Sequence, residues 1–165
     1  SKIEAGELQI HRSPFDISEL IFNTMISFEK VIENKNIEVT GLDTIKPTTV
    51  SAYRDMLHQV IYNLVDNAVK FTPDKGEISV HLTSSDDSAT VSIRNSGAGI
   101  SAEECSKIFE RFYKVDKSRS YDVKGAGLGL YIVKTIIEMH GGTITVQSEE
   151  GKYTEFIFTI PTGGF

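Results

Sequence analysis

Two stretches of alternating apolar and polar residues, GEISVHLTSS (76–85) and SATVSIRN (88–95), are separated only by Asp86 and Asp87. Alternation with a period of two marks half-buried strands. So short a link joins antiparallel neighbours, because a parallel crossover needs roughly a dozen residues or more. The arrangement recurs at the C-terminal end, where TITVQSEE (143–150) is followed closely by YTEFIFTIP (153–161). A chain whose strands come in such pairs does not build a doubly wound parallel sheet.

Helical patterns lie between the strands. ELQIHRSPF (7–15) reads as a short strand. DISE follows, with Asp16 as N-cap and Glu19 in the capping-box position. Ile17, Leu20, Ile21, Thr24, Phe28, Val31 and Ile32 then mark one helix face to about Asn34. IEVTG (37–41) and TTVSAY (48–53) are further strands. A second helix spans 54–71, with Leu57, Val60, Ile61, Leu64, Val65 and Ala68 as its apolar side. TPDKG is a turn, and LGLYIVKTIIEMHGG holds a third long helix that Gly141 and Gly142 stop. The expected fold is an α/β two-layer sandwich, a mixed and mostly antiparallel sheet with about three helices on one face.

The 165 residues suit one domain, and a chain of this size buries roughly 70% of its unfolded surface. The net charge of −6 argues against nonspecific nucleic-acid binding. The single cysteine, Cys105, permits no internal disulfide, and no apolar run reaches membrane length. The four histidines show no zinc spacing.

Gln59, Asn63, Asn67 and Lys70 form a polar stripe on the 54–71 helix. Asparagine is a poor helix former, so two of them one turn apart invite a reason. A carboxamide oxygen is a hard, neutral ligand for Mg²⁺, and Lys70 could supply a point charge to a phosphate. A solvated helix face is the equal alternative. The glycines form three clusters. Gly97 and Gly99 follow a strand and would let backbone approach a flat ligand, although a plain turn explains them as well. GAGLG (125–129) runs straight into a helix start, where free N–H groups and the helix dipole favour phosphate. Neither the Rossmann nor the P-loop spacing is met. Residues 101–126, a short capped helix SAEECSKIF and then a charged segment, read as a functional loop.

Together these segments resemble the catalytic, ATP-binding domain of bacterial sensor histidine kinases, within the gyrase and heat-shock-chaperone ATPase superfamily. HQVIYNLVDNAVKFTP is similar to the N box, IRNSGAGI to the first glycine box, IFERFYKVDKSRS to the F box and nucleotide lid, and GAGLGLYIVKTIIEMHGG to the second glycine box. The resemblance covers essentially the whole chain. It implies a Bergerat-type fold with a flexible lid over about 101–126, and ATP and Mg²⁺ as ligands. Asn63 and Asn67 would hold Mg²⁺ or the phosphates, and Lys70 would reach a phosphate. Phe71 would stand near the adenine, with Gly97, Gly99 and Ile100 lining the base pocket. Phe109 and Phe112 would anchor the lid, and Tyr113, Lys114 and Arg119 would lie along the nucleotide. Gly125, Gly127, Leu128 and Gly129 would receive phosphates, and Thr154 would sit near the base.

Two positions depart from the family pattern. Asn95 stands where most members have an aspartate that accepts from the adenine amino group. The amide keeps an acceptor but loses the charge-assisted strength, about twofold in bond energy. Its NH₂ could instead donate to a ring nitrogen, or relax the preference towards guanine. Tyr153 stands where many members have glycine.

The family's phosphoacceptor histidine is followed by an acidic residue, and none of His11, His58, His81 and His140 is. By this resemblance, residues 1–8 are the tail of a dimerisation and phosphoacceptor hairpin, and 9–165 are one ATP-binding domain. The γ-phosphate would pass to a histidine on that separate domain and onward to a response-regulator receiver domain. No autophosphorylation in isolation is expected, nor nucleic-acid binding, nor direct membrane contact. The resemblance further implies a cytoplasmic bacterial domain of a membrane-anchored protein. The alternative is a degenerate docking module, a pseudokinase, in which Asn95 has weakened nucleotide binding.

Overall fold

The computed structural model describes residues 11–113 and 129–163. Its elements in chain order are β1 (Ser13–Asp16), α1 (Ile17–Ser27), α2 (Glu29–Asn34), β2 (Glu38–Thr40), β3 (Thr49–Ala52), α3 (Arg54–Phe71), β4 (Glu77–Ser84), β5 (Ser88–Ser96), α4 (Ala102–Cys105), α5 (Gly129–Met139), β6 (Thr143–Glu149) and β7 (Tyr153–Pro161). Five strands form the main sheet in the order β2-β4-β5-β7-β6, and β1 pairs with β3 in a separate ribbon. β2 runs parallel to β4, and the other pairings are antiparallel. Both expected hairpins are present, and β5 pairing with β7 fuses them into one mixed sheet.

One face of that sheet is apolar because the alternation along β4, β5 and β7 is in phase. Ile78, Val80, Ala89, Val91, Ile93, Phe156, Phe158 and Ile160 are all buried. α1, α3 and α5 cover this face. From α3 come Leu57, Val60, Ile61, Leu64 and Val65, from α1 Ile17, Leu20 and Ile21, and from α5 Val133, Ile136 and Ile137. α3 packs against both other long helices and against β5. Its polar stripe is thereby fixed relative to the sheet and to the start of α5.

Three local features differ from the pattern-based expectation. Of the strand expected over 7–15, residues 7–10 lie outside the described residues, and β1 begins at Ser13 and runs on to Asp16. The helix read as continuous to Asn34 breaks at Phe28 (φ −101°, ψ 4°). Phe28 turns inward there and its ring meets Tyr62 at 5.0 Å, so tertiary packing overrides helical continuity. Asp16 caps α1 as expected, but no reciprocal bond from Glu19 closes the box. Asp16 Oδ1 instead accepts from Ser18 N at 2.9 Å, Ser18 Oγ at 2.7 Å and Thr48 N at 2.9 Å, tying the helix start to the segment before β3.

Candidate functional site

The site forms where α3, the start of α5, the turn after β5 and the β6–β7 hairpin converge. Asn63 and Asn67 lie half-buried on the stripe of α3. Asn63 Nδ2 donates to the Gly129 carbonyl at 3.4 Å, so this asparagine faces the first residue of α5. Helix starts carry N–H groups without intrahelical acceptors and the positive end of the dipole. Two carboxamides and an anion-favouring helix start are thus held together. Lys70 Nζ lies 3.3 Å from Asp66 Oδ2 one turn earlier, an exposed pair of the kind that contributes little to stability. Phe71, at the end of α3, is 42% exposed. Among the described residues no group of three His, Cys, Asp or Glu side chains could hold a metal. The donor set on offer to a cation here consists of neutral carboxamides.

The turn after β5 is clamped to the β6–β7 hairpin. Gly97 N donates to Lys152 O at 3.1 Å, Gly151 N to Ala98 O at 2.6 Å, and Ile100 N to Ser148 Oγ at 2.8 Å. Two glycines make this approach possible. Gly99 has φ +67°, and a Cβ on it would run into the Glu149 carbonyl. Gly97 has φ +149°, and its Cβ would stand 2.7 Å from Phe71 O. Ordinary side chains adopt such conformations only with strain. Ile100 then enters the core at 7% exposure.

Asn95 is 4% exposed and lies opposite Thr154 in the β5–β7 register, with both side chains on the helix-covered face. Its Nδ2 donates to Ser96 O at 2.9 Å. Thr154, 9% exposed, has its Oγ1 3.2 Å from Ser148 Oγ. Tyr153 points to the other face, where the Arg94 guanidinium stacks 3.7 Å above its ring. The aromatic departure at this position therefore lies away from the pocket wall.

The segment expected to form the lid begins with α4, capped by Ser101 Oγ, which accepts from Glu104 N at 3.1 Å. Phe109 packs edge-on against Phe156, with ring centroids 6.0 Å apart. Phe112 has φ +65° and is 63% exposed, so of the two expected anchors only Phe109 is seated on the core. The Tyr113 hydroxyl donates to Glu104 Oε1 at 3.0 Å. Lys114, Arg119, Gly125, Gly127 and Leu128 lie outside the described residues. Ser148 escaped the pattern-based reading, although it falls in phase with Ile144 and Val146, a polar residue on the inward side of its strand.

The family model for histidine kinase-, DNA gyrase B- and HSP90-like ATPases matches residues 52–164, and the chain belongs to that family. It is a catalytic ATPase domain of the histidine-kinase type. The sensor protein SrrB of Staphylococcus aureus is 34% identical over 161 residues, which are 98% of this chain and 27% of SrrB. The chain thus spans about a quarter of the length of that curated relative. The catalytic domain of histidine kinase ThkA superposes with a TM-score of 0.78 at 33% identity, covering 93% of this chain and 97% of that one. Full-length ShkA, solved in complex with AMPPNP, superposes at 0.76 with 28% identity, covering 93% of this chain and 32% of ShkA. ThkA in complex with the response regulator protein TrrA superposes at 0.76 with 32% identity, over 92% of this chain and 42% of that one.

Proposed function

We propose that this domain binds Mg·ATP and presents its γ-phosphate to a histidine on a separate dimerisation domain, as one module of a sensor histidine kinase. The observation that carries this reading is Asn63 facing Gly129, which joins the carboxamide stripe of α3 to the glycine-led start of α5. Asn63 and Asn67 would hold Mg²⁺, whose hard charge suits neutral carboxamide oxygens. When bound, the ion supplies charge neutralisation to the phosphates. The N–H groups at the start of α5 would hold phosphate oxygens, and Lys70 would add a point charge. Asn95, Thr154, Gly97, Gly99 and Ile100 would form the wall against the base, with Phe71, Phe112, Tyr113, Lys114 and Arg119 along the nucleotide. Transfer to an imidazole nitrogen rests on positioning and charge neutralisation more than on covalent help from the enzyme.

The acceptor histidine belongs to a dimerisation domain of the same protein, and the phosphoryl group goes on to a response-regulator receiver domain. The domain works in the cytoplasm as part of a membrane-anchored protein. The kinase relatives and the intact carboxamide stripe favour this reading over the docking-module alternative.

Calorimetric titration of Mg·ATP into the purified chain tests it. One-site binding that N67A abolishes is the expected result. No binding at millimolar nucleotide overturns it.

A further inference from the structure

The main sheet ends in β2 on one side and in β6 on the other, and the two edges are built differently. β2 has three residues, and an edge so short is a poor template for further pairing. β6 runs for seven residues, TITVQSE, without proline, lysine or arginine. Its register with β7 is unbroken from Thr143 to Glu149, so no bulge twists the edge away. Native edges are normally blunted by one of these devices. Among the described residues, the backbone of Thr143–Gln147 pairs with β7 and with no other element. Ile144 and Val146 lie beside the buried Phe158 and Phe156 on the helix-covered face, yet both stay half-buried, because no strand lies beyond them. Thr143, Thr145 and Gln147 are exposed on the opposite face.

We infer that β6 docks a second copy of this chain, antiparallel to itself, about a two-fold axis through Thr145 and normal to the sheet. Such an axis keeps the helix layers of both copies on one side and makes the contact self-complementary. The side chains fit this register. Ile144 falls opposite Val146 of the second copy, and Val146 opposite Ile144, so two aliphatic cross-strand pairs close over each other. On the exposed face Thr145 meets Thr145, and Thr143 meets Gln147. Moving the axis by one residue spoils the match: an axis at Val146 sets Ile144 against Ser148, and one at Ile144 sets Val146 against Gly142. Charge agrees as well. No ionised side chain lies between Thr143 and Ser148, so no like charges face each other across the axis. Glu149, held by Lys152 Nζ at 2.9 Å, falls opposite Gly141, beyond the paired strands. A strand made for a foreign segment has no need to match itself in this way. The inference does not depend on the nucleotide reading.

Sedimentation equilibrium of this chain, taken up to about 1 mM, tests it. The average mass of the wild type should climb from one chain towards two as concentration rises. T145K sets two like charges opposite each other on the axis and should stay monomeric, and so should T145E. Mixed one to one, the two variants should associate again, because the axis then brings opposite charges together. Thr145 is exposed, so both variants should melt close to the wild type. A wild type that stays monomeric to about 1 mM overturns the inference without any variant. T145K dimers as tight as those of the wild type, or a mixture that stays monomeric, overturn it by placing the contact or the axis elsewhere. A monomeric wild type whose amide signals at 143–147 shift on adding the free peptide TITVQSE would give the edge to a separate extended segment, and that too overturns the second-copy inference.

Discussion

His140 fastens the end of α5 to the start of α3. Its Nε2 accepts the Tyr53 backbone N–H at 3.1 Å, and its Nδ1 lies 2.8 Å from the Ile136 carbonyl. The first bond requires a bare Nε2, so the proton sits on Nδ1 and donates to Ile136. The ring is 1% exposed and meets the Tyr53 ring edge-on at 5.5 Å.

This bonding makes the fold sensitive to mild acid. Burial lowers the His140 pKa, the Arg12 charge lowers it further, and the Ile136 bond opposes both. The folded state therefore favours the neutral ring, whereas the unfolded chain takes a proton near pH 6.5. The His140 contribution is complete above that pH and is lost as pH falls through it towards the lower folded value. Urea unfolding at pH 8 and pH 5 should show wild-type stability falling, with a smaller fall in H140Q. An identical fall in the variant would locate the sensitivity elsewhere.

Asp16 governs a second, more acidic window. Burial raises its pKa, but the hydrogen bonds from Ser18 and Thr48 outweigh this, and the net shift is downward. Its contribution is present above the ordinary carboxylate value of about 3.9 and is lost as pH falls below it. D16A removes the cap of α1 and should lower stability by about 1–2 kcal/mol, measured by chemical denaturation at pH 7. D16N keeps one oxygen acceptor and should lose less.

N95D should have opposite effects on the free and bound states. A carboxylate oxygen would replace the Nδ2 that donates to Ser96 O, setting acceptor against acceptor at a site 4% exposed. The free chain should lose about 1–3 kcal/mol. The same charge strengthens an acceptor bond to a base amino group. Thermal melts should show a lower midpoint without nucleotide and a larger upward shift with Mg·ATP than in the wild type. An unchanged free midpoint would show that the Ser96 bond contributes nothing.

G99A tests the clamp between the glycine turn and the hairpin. Alanine at φ +67° is strained, and its Cβ would push against the Glu149 carbonyl. A loss of about 1–3 kcal/mol is expected, together with faster amide exchange at Gly151 and Ile100. Exchange confined to residue 99 would mean that the turn absorbs the change alone.

The apolar face of α3 was readable in advance, because Leu57, Val60, Ile61, Leu64, Val65 and Ala68 obey one helical period and all are buried. Asn95 was singled out by the resemblance of IRNSGAGI to a glycine box, and the structure shows it continuing the inward phase of Ala89, Val91 and Ile93. The break at Phe28 was not readable. Phe28 lies on the same apolar stripe as its neighbours, and nothing in that stripe foretells its contact with Tyr62, a residue of α3. The parallel pairing of β2 with β4 was hidden likewise, since a strand of three residues carries no mark of its distant partner. The joining of Asn63 to Gly129 depends on how α3 and α5 pack, which local periodicity does not encode.

The bond from Ile100 to Ser148 spans 48 positions of sequence. The chain leaves this contact after Ile100 and returns to it at Ser148, so α4, α5 and the first part of β6 hang on a segment that starts and ends at one knot. Loop closure depends only weakly on length, each doubling adding about 0.6 kcal/mol. The turn after β5 and the β6–β7 hairpin can thus keep their joint form even where the chain between them differs in length.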